Sequence, residues 1–246
     1  MDDYRRPGEN LAGSGSKRRV QMSEATSVML ALTLSGGMQD AYSYFVRGKV
    51  FANAQTGNLV LMAEHMFNAD FRGGVKYLFP LVFFAFGVFV AEQIRGRFQY
   101  SGILHWRQMI VALEILMLLI VGFLPVNDAV NPLANAMTSF ACAMQVQAFR
   151  KVNGYAYAST MCIGNMRSGM EALSAYTRTG NRELLLKTGQ YFLVILTFFL
   201  GAGIGGALAE TGGRRMIWIS CALLIVSFLL MFLRSEEEKM EEESGK

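Results

Sequence analysis

Charge is what this chain has least of. Charged residues make up 17% of its 246 positions, against about 25% in soluble domains. Residues 77–91 (YLFPLVFFAFGVFVA) carry none, nor do 131–149, 188–209 or 216–233. Histidine is nearly absent: His65 and His105 are too few for most metal sites. The three cysteines, Cys142, Cys162 and Cys221, stand singly in apolar segments. Without paired spacing they read as small buried residues, so neither a disulfide framework nor a metal site is expected. There is no Walker loop, no HExxH, no Gly-x-Ser-x-Gly and no visible nucleophile–base pair. The chain is therefore not expected to be an enzyme, and no cofactor is expected.

What is present is apolar. Hydrophobic residues reach 52% and the mean hydropathy is +0.30. Segments of about 20 apolar residues read as transmembrane helices, because a helix rises about 1.5 Å per residue across roughly 30 Å of hydrocarbon. Five or six such segments in so short a chain argue against the core helices of a soluble protein. The pI near 9.0 does not point to nucleic acid, since the basic residues cluster at span ends, where the positive-inside rule places them. Residues 1–24 are polar and rich in Gly and Ser, and are expected to form a disordered cytoplasmic tail. Residues 235–246 form an acidic cytoplasmic tail, read as solvated or frayed helix.

The rest of the chain is organised around Gly36–Phe67 (GGMQDAYSYFVRGKVFANAQTGNLVLMAEHMF). A first span, Ser27–Val46, contains the weak pair Gly36-Gly37 and the acid Asp40. A polar hinge, Arg47–Gln55, follows, and then a half-helix, Thr56–Phe67. Spans at Lys76–Ile94 and Gln108–Val126 complete this part. The pattern then returns: a span at Asn131–Phe149, a hinge at Arg150–Ala158, a short segment from Ile163 to Leu173, and spans at Thr188–Ala209 and Met216–Leu233. Gly57-Asn58 and Gly164-Asn165 are 107 residues apart, as are Met109-Ile110 and Met216-Ile217. The expected fold is all-α and polytopic. It has about six full spans plus two short broken or re-entrant helices, arranged as a two-fold internal repeat of residues 25–126 and 131–234.

Basic residues test the topology. If both broken segments re-enter without crossing and the N-terminus is inside, 17 Lys/Arg lie inside and 6 outside. If both cross, the division is 14 to 9. The positive-inside rule favours re-entry, with both termini cytoplasmic. Three crossings per half then give the halves opposite orientations, the plan of many secondary transporters.

Ionisable groups at membrane depth usually face protein or water. Asp40, Glu64, His65 and Glu114 lie nearest that depth, with Glu92, Glu171 and Glu210 closer to span ends. Gln145 and Gln147 stand near the place of Asp40 in the second half. Backbone groups freed by a broken helix need partners, and Asn53, Gln55, Thr56, Gly57, Asn58, Gly164 and Asn165 are the expected substrate-binding set together with Asp40. Local satisfaction of the hinge backbone is the competing role for Asn53, Gln55, Thr56, Asn58 and Asn165, and a hydrogen bond between helices is the competing role for Asp40 and Glu114. The run Gly201–Ala207 reads as a helix-packing surface.

SGGMQDAYSYF followed by VFANAQTGNLVLMA resembles the signature of the YoaK family of bacterial multispanning membrane proteins, long filed as a domain of unknown function. The positions that carry the resemblance are Asp40, Phe51, Asn53, Thr56, Gly57 and Asn58. In the second half the family often carries another Thr-Gly, where this chain has Ile163. The resemblance implies a bacterial inner membrane and supplies no substrate. The leading functional expectation is a small-solute transporter or permease whose partners are membrane lipid and a small polar solute of unknown identity, with a homo-oligomer left open. A non-transporting membrane assembly or sensor protein is the alternative, and a membrane enzyme ranks third.

Overall fold

The computed structural model describes residues 26–99, 105–152 and 155–244; the expected tail at residues 1–24 lies outside them. Eight helices follow in order: α1 (Thr26–Val46), α2 (Gln55–Phe67), α3 (Phe71–Phe98), α4 (Trp106–Phe123), α5 (Asn131–Ala148), α6 (Cys162–Thr179), α7 (Arg182–Gly212) and α8 (Ile217–Ser244). A two-residue ladder, β1 (Lys151–Val152) with β2 (Tyr155–Ala156), interrupts the all-α pattern between α5 and α6.

The helix ends follow from local chemistry. Asp70 accepts the Gly73 N–H at 2.9 Å and starts α3. His105 and Gln108 form a capping box for α4. Pro132 sits in the first turn of α5, where its missing N–H does no harm. Gly180, at φ 68°, ends α6 in the left-handed conformation, and Asn181 then caps α7. Outside the apolar helices, the Gly73 N–H and then His65 hold the Asp70 carboxyl below its usual range. Burial, helped by Arg107, holds His105 below the usual histidine value.

Several elements run further than the sequence suggests. α3 starts five residues before Lys76, since Asp70 sets its cap. α6 extends through Ser174–Thr179, expected to be connection, because no breaker stands before Gly180. α8 continues as helix through Ser244, which agrees with the reading of the acidic tail as helix. α4 stops at Phe123, because the Leu124-Pro125 pair takes the chain extended.

Among the described residues, three helical stretches are long and apolar enough to cross a membrane: Phe71–Phe98, Trp106–Phe123 and Arg182–Phe232. The third has 51 residues, far beyond the roughly 20 that one crossing needs, and a 3₁₀ turn at Gly213–Met216 divides it into α7 and α8. The outer surfaces of these helices are apolar: Val82, Phe86 and Phe89 on α3, Leu116 and Ile120 on α4, Leu196 and Phe199 on α7, and Val226 and Leu229 on α8 are all exposed. α1 and α5 carry a larger share of polar residues than these three stretches, and both are packed among the other helices. Every residue of α1 from Ser35 to Ser43 is buried, and so are 13 of the 18 residues of α5.

α1 packs mainly on α7 and α8, and α5 packs mainly on α3 and α4. Small residues set the closest approaches. Gly201 lies against the Leu34 carbonyl, Gly37 against the Phe198 carbonyl, and Gly87 against the Phe140 carbonyl, so that a Cβ at any of them would collide with backbone. These contacts run in the same chain direction on both seams. α4 meets α8 through the Trp218 indole N–H, which donates to the Leu119 carbonyl. α2 folds back on α3, and α6 folds back on α7.

Candidate functional site

α1 ends in a reversal. Gly48 at φ 90° and Lys49 at φ 64° turn the chain back on itself. The returning strand-like segment lies beside α1, so that the Asn53 N–H donates to the Asp40 carboxylate at 2.7 Å. The amides of Ala52 and Ala54 also face this carboxylate. The Asn53 side chain reaches deeper still, donating to the Gly36 carbonyl at 3.4 Å. α2 therefore starts half-way along α1 and returns toward the end from which the chain came. Successive N–H groups around one acid make an anion-holding concavity, and here the anion is the chain's own Asp40.

The second break reaches the same place. After α5 and the β ladder, Ser159 accepts from the Gln145 amide at 3.1 Å. Gln145 also donates to the Leu32 carbonyl of α1. Thr160 packs on Gly36, where a Cβ would stand 2.6 Å from its methyl carbon. Gly36 is thus the point where the two breaks converge.

A polar cluster surrounds it. Gln39, fully buried, donates to Glu114 Oε1 at 3.1 Å and to Ser35 Oγ at 3.0 Å, and it accepts from the Cys142 thiol at 2.7 Å. Glu114 is fully buried on α4 and belongs to no ion pair among the described residues. Asn53 Oδ1, Glu114 Oε2, Gln145 Oε1, Thr160 Oγ1, Ser139 Oγ and Ser220 Oγ are buried without a protein partner. A buried polar atom left unpaired costs about 1–3 kcal/mol, and native proteins hold few of them.

The expected site residues divide under this geometry. Asp40 and Asn53 belong to the central cluster. Asn58 and Asn165 are buried but are used locally. Asn58 donates to the Phe51 carbonyl at 2.7 Å and accepts from the Phe51 N–H at 2.9 Å. Asn165 makes the same pair with Ala158, at 2.7 and 3.3 Å. Gln55 supports Asn58 and donates to the Ala52 carbonyl. Gly57 lies under the Phe51 ring. Thr56 and Gly164 are exposed, and nothing packs on Gly164. Gln39, Glu114, Cys142, Ser159 and Thr160 complete the cluster without having been in the expected set. The available signals were Glu114, an acid inside an apolar run, and Gln39, adjacent to Asp40. Nothing in the sequence marks Cys142 or Thr160.

A further polar feature lies at the far end of α1. A cavity of about 610 Å³ is lined by Arg47, Arg72, Lys76, Asp128, Asn131 and Asn135, among others. Asp40 is not among its lining residues. The Arg47 guanidinium donates to the carbonyls of Val121, Leu124 and Pro125 and so caps the end of α4.

Polar groups inside, apolar side chains outside, and helices that start half-way along a neighbour together define a multi-helix membrane protein. The chain belongs to the family described as protein of unknown function (DUF1275), whose model matches residues 28–230. It is 25% identical over 221 residues to the UPF0700 transmembrane protein YoaK of Bacillus subtilis (strain 168), which covers 87% of this chain and 96% of that protein. No solved structure matches.

Proposed function

We propose that this protein is a small-solute transporter or permease of the bacterial inner membrane, built as an inverted repeat. The observation that carries the reading is the convergence of the two breaks on Gly36, within a cluster of buried polar atoms that lack protein partners. Interrupted helices meeting near mid-membrane are where secondary transporters bind their solutes. Irregular backbone at that depth is tolerated only inside protein or beside water.

The repeat reading rests on the packing. The α1 seam with α7 and α8 corresponds to the α5 seam with α3 and α4. Buried positions also correspond: Val28, Met29, Leu32, Thr33 and Gln39 of α1 stand for Ala134, Asn135, Thr138, Ser139 and Gln145 of α5. Ile110, Val111, Glu114, Leu118 and Val121 of α4 stand for Met216, Ile217, Ser220, Leu224 and Ser227 of α8, a burial register of 106 residues that replaces the 107 by which the sequence pairs Met109-Ile110 with Met216-Ile217. α2 and α6 re-enter in this reading, leaving six crossings with both termini cytoplasmic, the arrangement that the basic residues favour. Gln39, Glu114 and Asp40 are the residues assigned to solute or proton.

The test is uptake into proteoliposomes across a panel of labelled polar metabolites, with a pH-sensitive dye inside. Saturable uptake, reduced in Asp40→Asn, is the expected result. Folded, monodisperse protein that moves none of the panel and co-purifies with a tight protein partner favours the assembly or sensor alternative. The local use of Asn58 and Asn165 is the observation on that side.

A further inference from the structure

We propose that the cavity between the α1–α2 turn and the first turns of α3 and α5 binds a small oxyanion that carries an O–H, of which hydrogenphosphate is the simplest member. Three cations line it, Arg47, Arg72 and Lys76, against one acid, the exposed Asp128. None of these four takes part in an ion pair among the described residues. Arg47 is 1% exposed. Its donors go to carbonyls, to the Tyr42 hydroxyl and to Asn131 Oδ1, all of them neutral groups. These bonds fix the guanidinium and leave its charge uncompensated, and removing charge from water without a counter-charge is unfavourable. Lys76 donates to the Gly48 carbonyl at 3.4 Å and stands over the Tyr77 ring, and the acid whose field reaches it, Asp70, lies outside the cavity lining.

Asn135 is the second, independent observation. It lines the cavity, is 2% exposed, and donates from Nδ2 to the Arg47 carbonyl at 2.9 Å. Its Oδ1 is buried without a partner. A fixed acceptor beside an excess of positive charge suits a ligand that brings both negative oxygens and a proton. Hydrogenphosphate does so; sulfate at neutral pH has no proton to donate. Arg72 and Lys76 supply charge-assisted hydrogen bonds, and Arg47 supplies fixed field.

Cations also stand at this end of the molecule against the general trend. In the re-entrant topology the cavity opens on the side with fewer Lys and Arg, where the positive-inside rule disfavours them. The site does not depend on the transport reading: binding tests the one, proteoliposome uptake the other. A phosphate group can also come from an anionic lipid, so the experiment separates the two sources.

The full chain is placed in phosphatidylcholine nanodiscs, and its melting temperature is followed as inorganic phosphate is titrated at constant ionic strength with chloride. The expected result is a saturable rise, weaker with sulfate. In Arg72→Gln/Lys76→Gln half-saturation should move at least tenfold higher, and in Arg215→Gln, a cation at the same end outside the cavity, it should not move. Arg72→Gln alone, at an exposed position, serves if the double variant does not fold. The absence of a saturable rise overturns the proposal, as does an unchanged titration in the Arg72 variants. A rise produced only by adding phosphatidylglycerol to the nanodisc, and not by free phosphate, assigns these cations to lipid and also overturns it.

Discussion

The break before α2 and the break before α6 begin alike and are fastened differently. In each, an asparagine seven residues on closes a two-bond loop with the backbone: Asn58 with Phe51, Asn165 with Ala158. In the first, the returning backbone is held by a carboxylate, Asp40, through the Asn53 N–H. In the second, it is held by an amide, Gln145, through the Ser159 hydroxyl. Val146 occupies the place next to Gln145 that Asp40 occupies next to Gln39. The same backbone device is thus built with a charge on one side and without it on the other. The asparagine pair is what a break needs in order to exist. The second break forms without an acid, and this is the ground on which the proposed function gives Asp40 a part in binding solute or proton.

The seams offer the most severe way to break the comparison. Gly37→Val places a Cβ against the Phe198 carbonyl, and Gly87→Val places one against the Phe140 carbonyl. Neither neighbour can move without moving a helix, and overpacking costs about 1–3 kcal/mol or more. Both variants are expected to lose the monodisperse peak on size-exclusion chromatography. If Gly87→Val behaves as wild type, the two seams are not equivalent.

Next come the hinge asparagines. Asn58→Ala and Asn165→Ala each leave a backbone N–H and a carbonyl without their partner. At about 1–3 kcal/mol per buried unsatisfied group, the two groups together amount to about 2–6 kcal/mol in each variant, less where water reaches the hinge. Denaturant unfolding in detergent measures this. A large loss in one and none in the other would mean that the breaks only look alike.

Asp40→Asn keeps the side-chain shape and one acceptor for the Asn53 N–H. It is expected to lower uptake at least tenfold, about 1.4 kcal/mol on a barrier, with a melting temperature within a few degrees of wild type. Val146→Ala, at the uncharged counterpart, should leave uptake unchanged. Equal uptake in Asp40→Asn and wild type would return the acid to architecture.

The smallest effect is a pH dependence at the two outer caps. Asp70 has a folded pKa below its unfolded value. Its contribution is present above the ordinary aspartate range and is lost as pH falls through the folded value. His105 is also depressed, so its contribution is present above the ordinary histidine value near 6.5 and declines as pH falls below it. Melting curves between pH 7 and pH 5 should drop slightly in wild type and less in His105→Asn, which retains a capping acceptor. A steeper drop in the variant contradicts this sign.

The sequence by itself determined the membrane class, the all-α pattern, the places of both breaks and the residues that make each possible. Those properties are local or compositional. Uncharged runs have nowhere to go but lipid or core, and Gly and Asn mark a break by their own chemistry. Asp40 was legible for the same reason, because an acid in an apolar run is anomalous wherever the run folds. Only the tertiary structure decided which polar groups meet. Gln39, Glu114, Cys142 and Thr160 come from α1, α4, α5 and the turn before α6, and no spacing along the chain encodes that Gly36 leaves room for both breaks at once. It also decided that Asn58 and Asn165 close on their own hinges, and that Arg47, Arg72 and Lys76 share one cavity. Convergence of this kind is set by helix packing, and helix packing is set by backbone approach at Gly37, Gly87 and Gly201, whose partners lie far away in the chain.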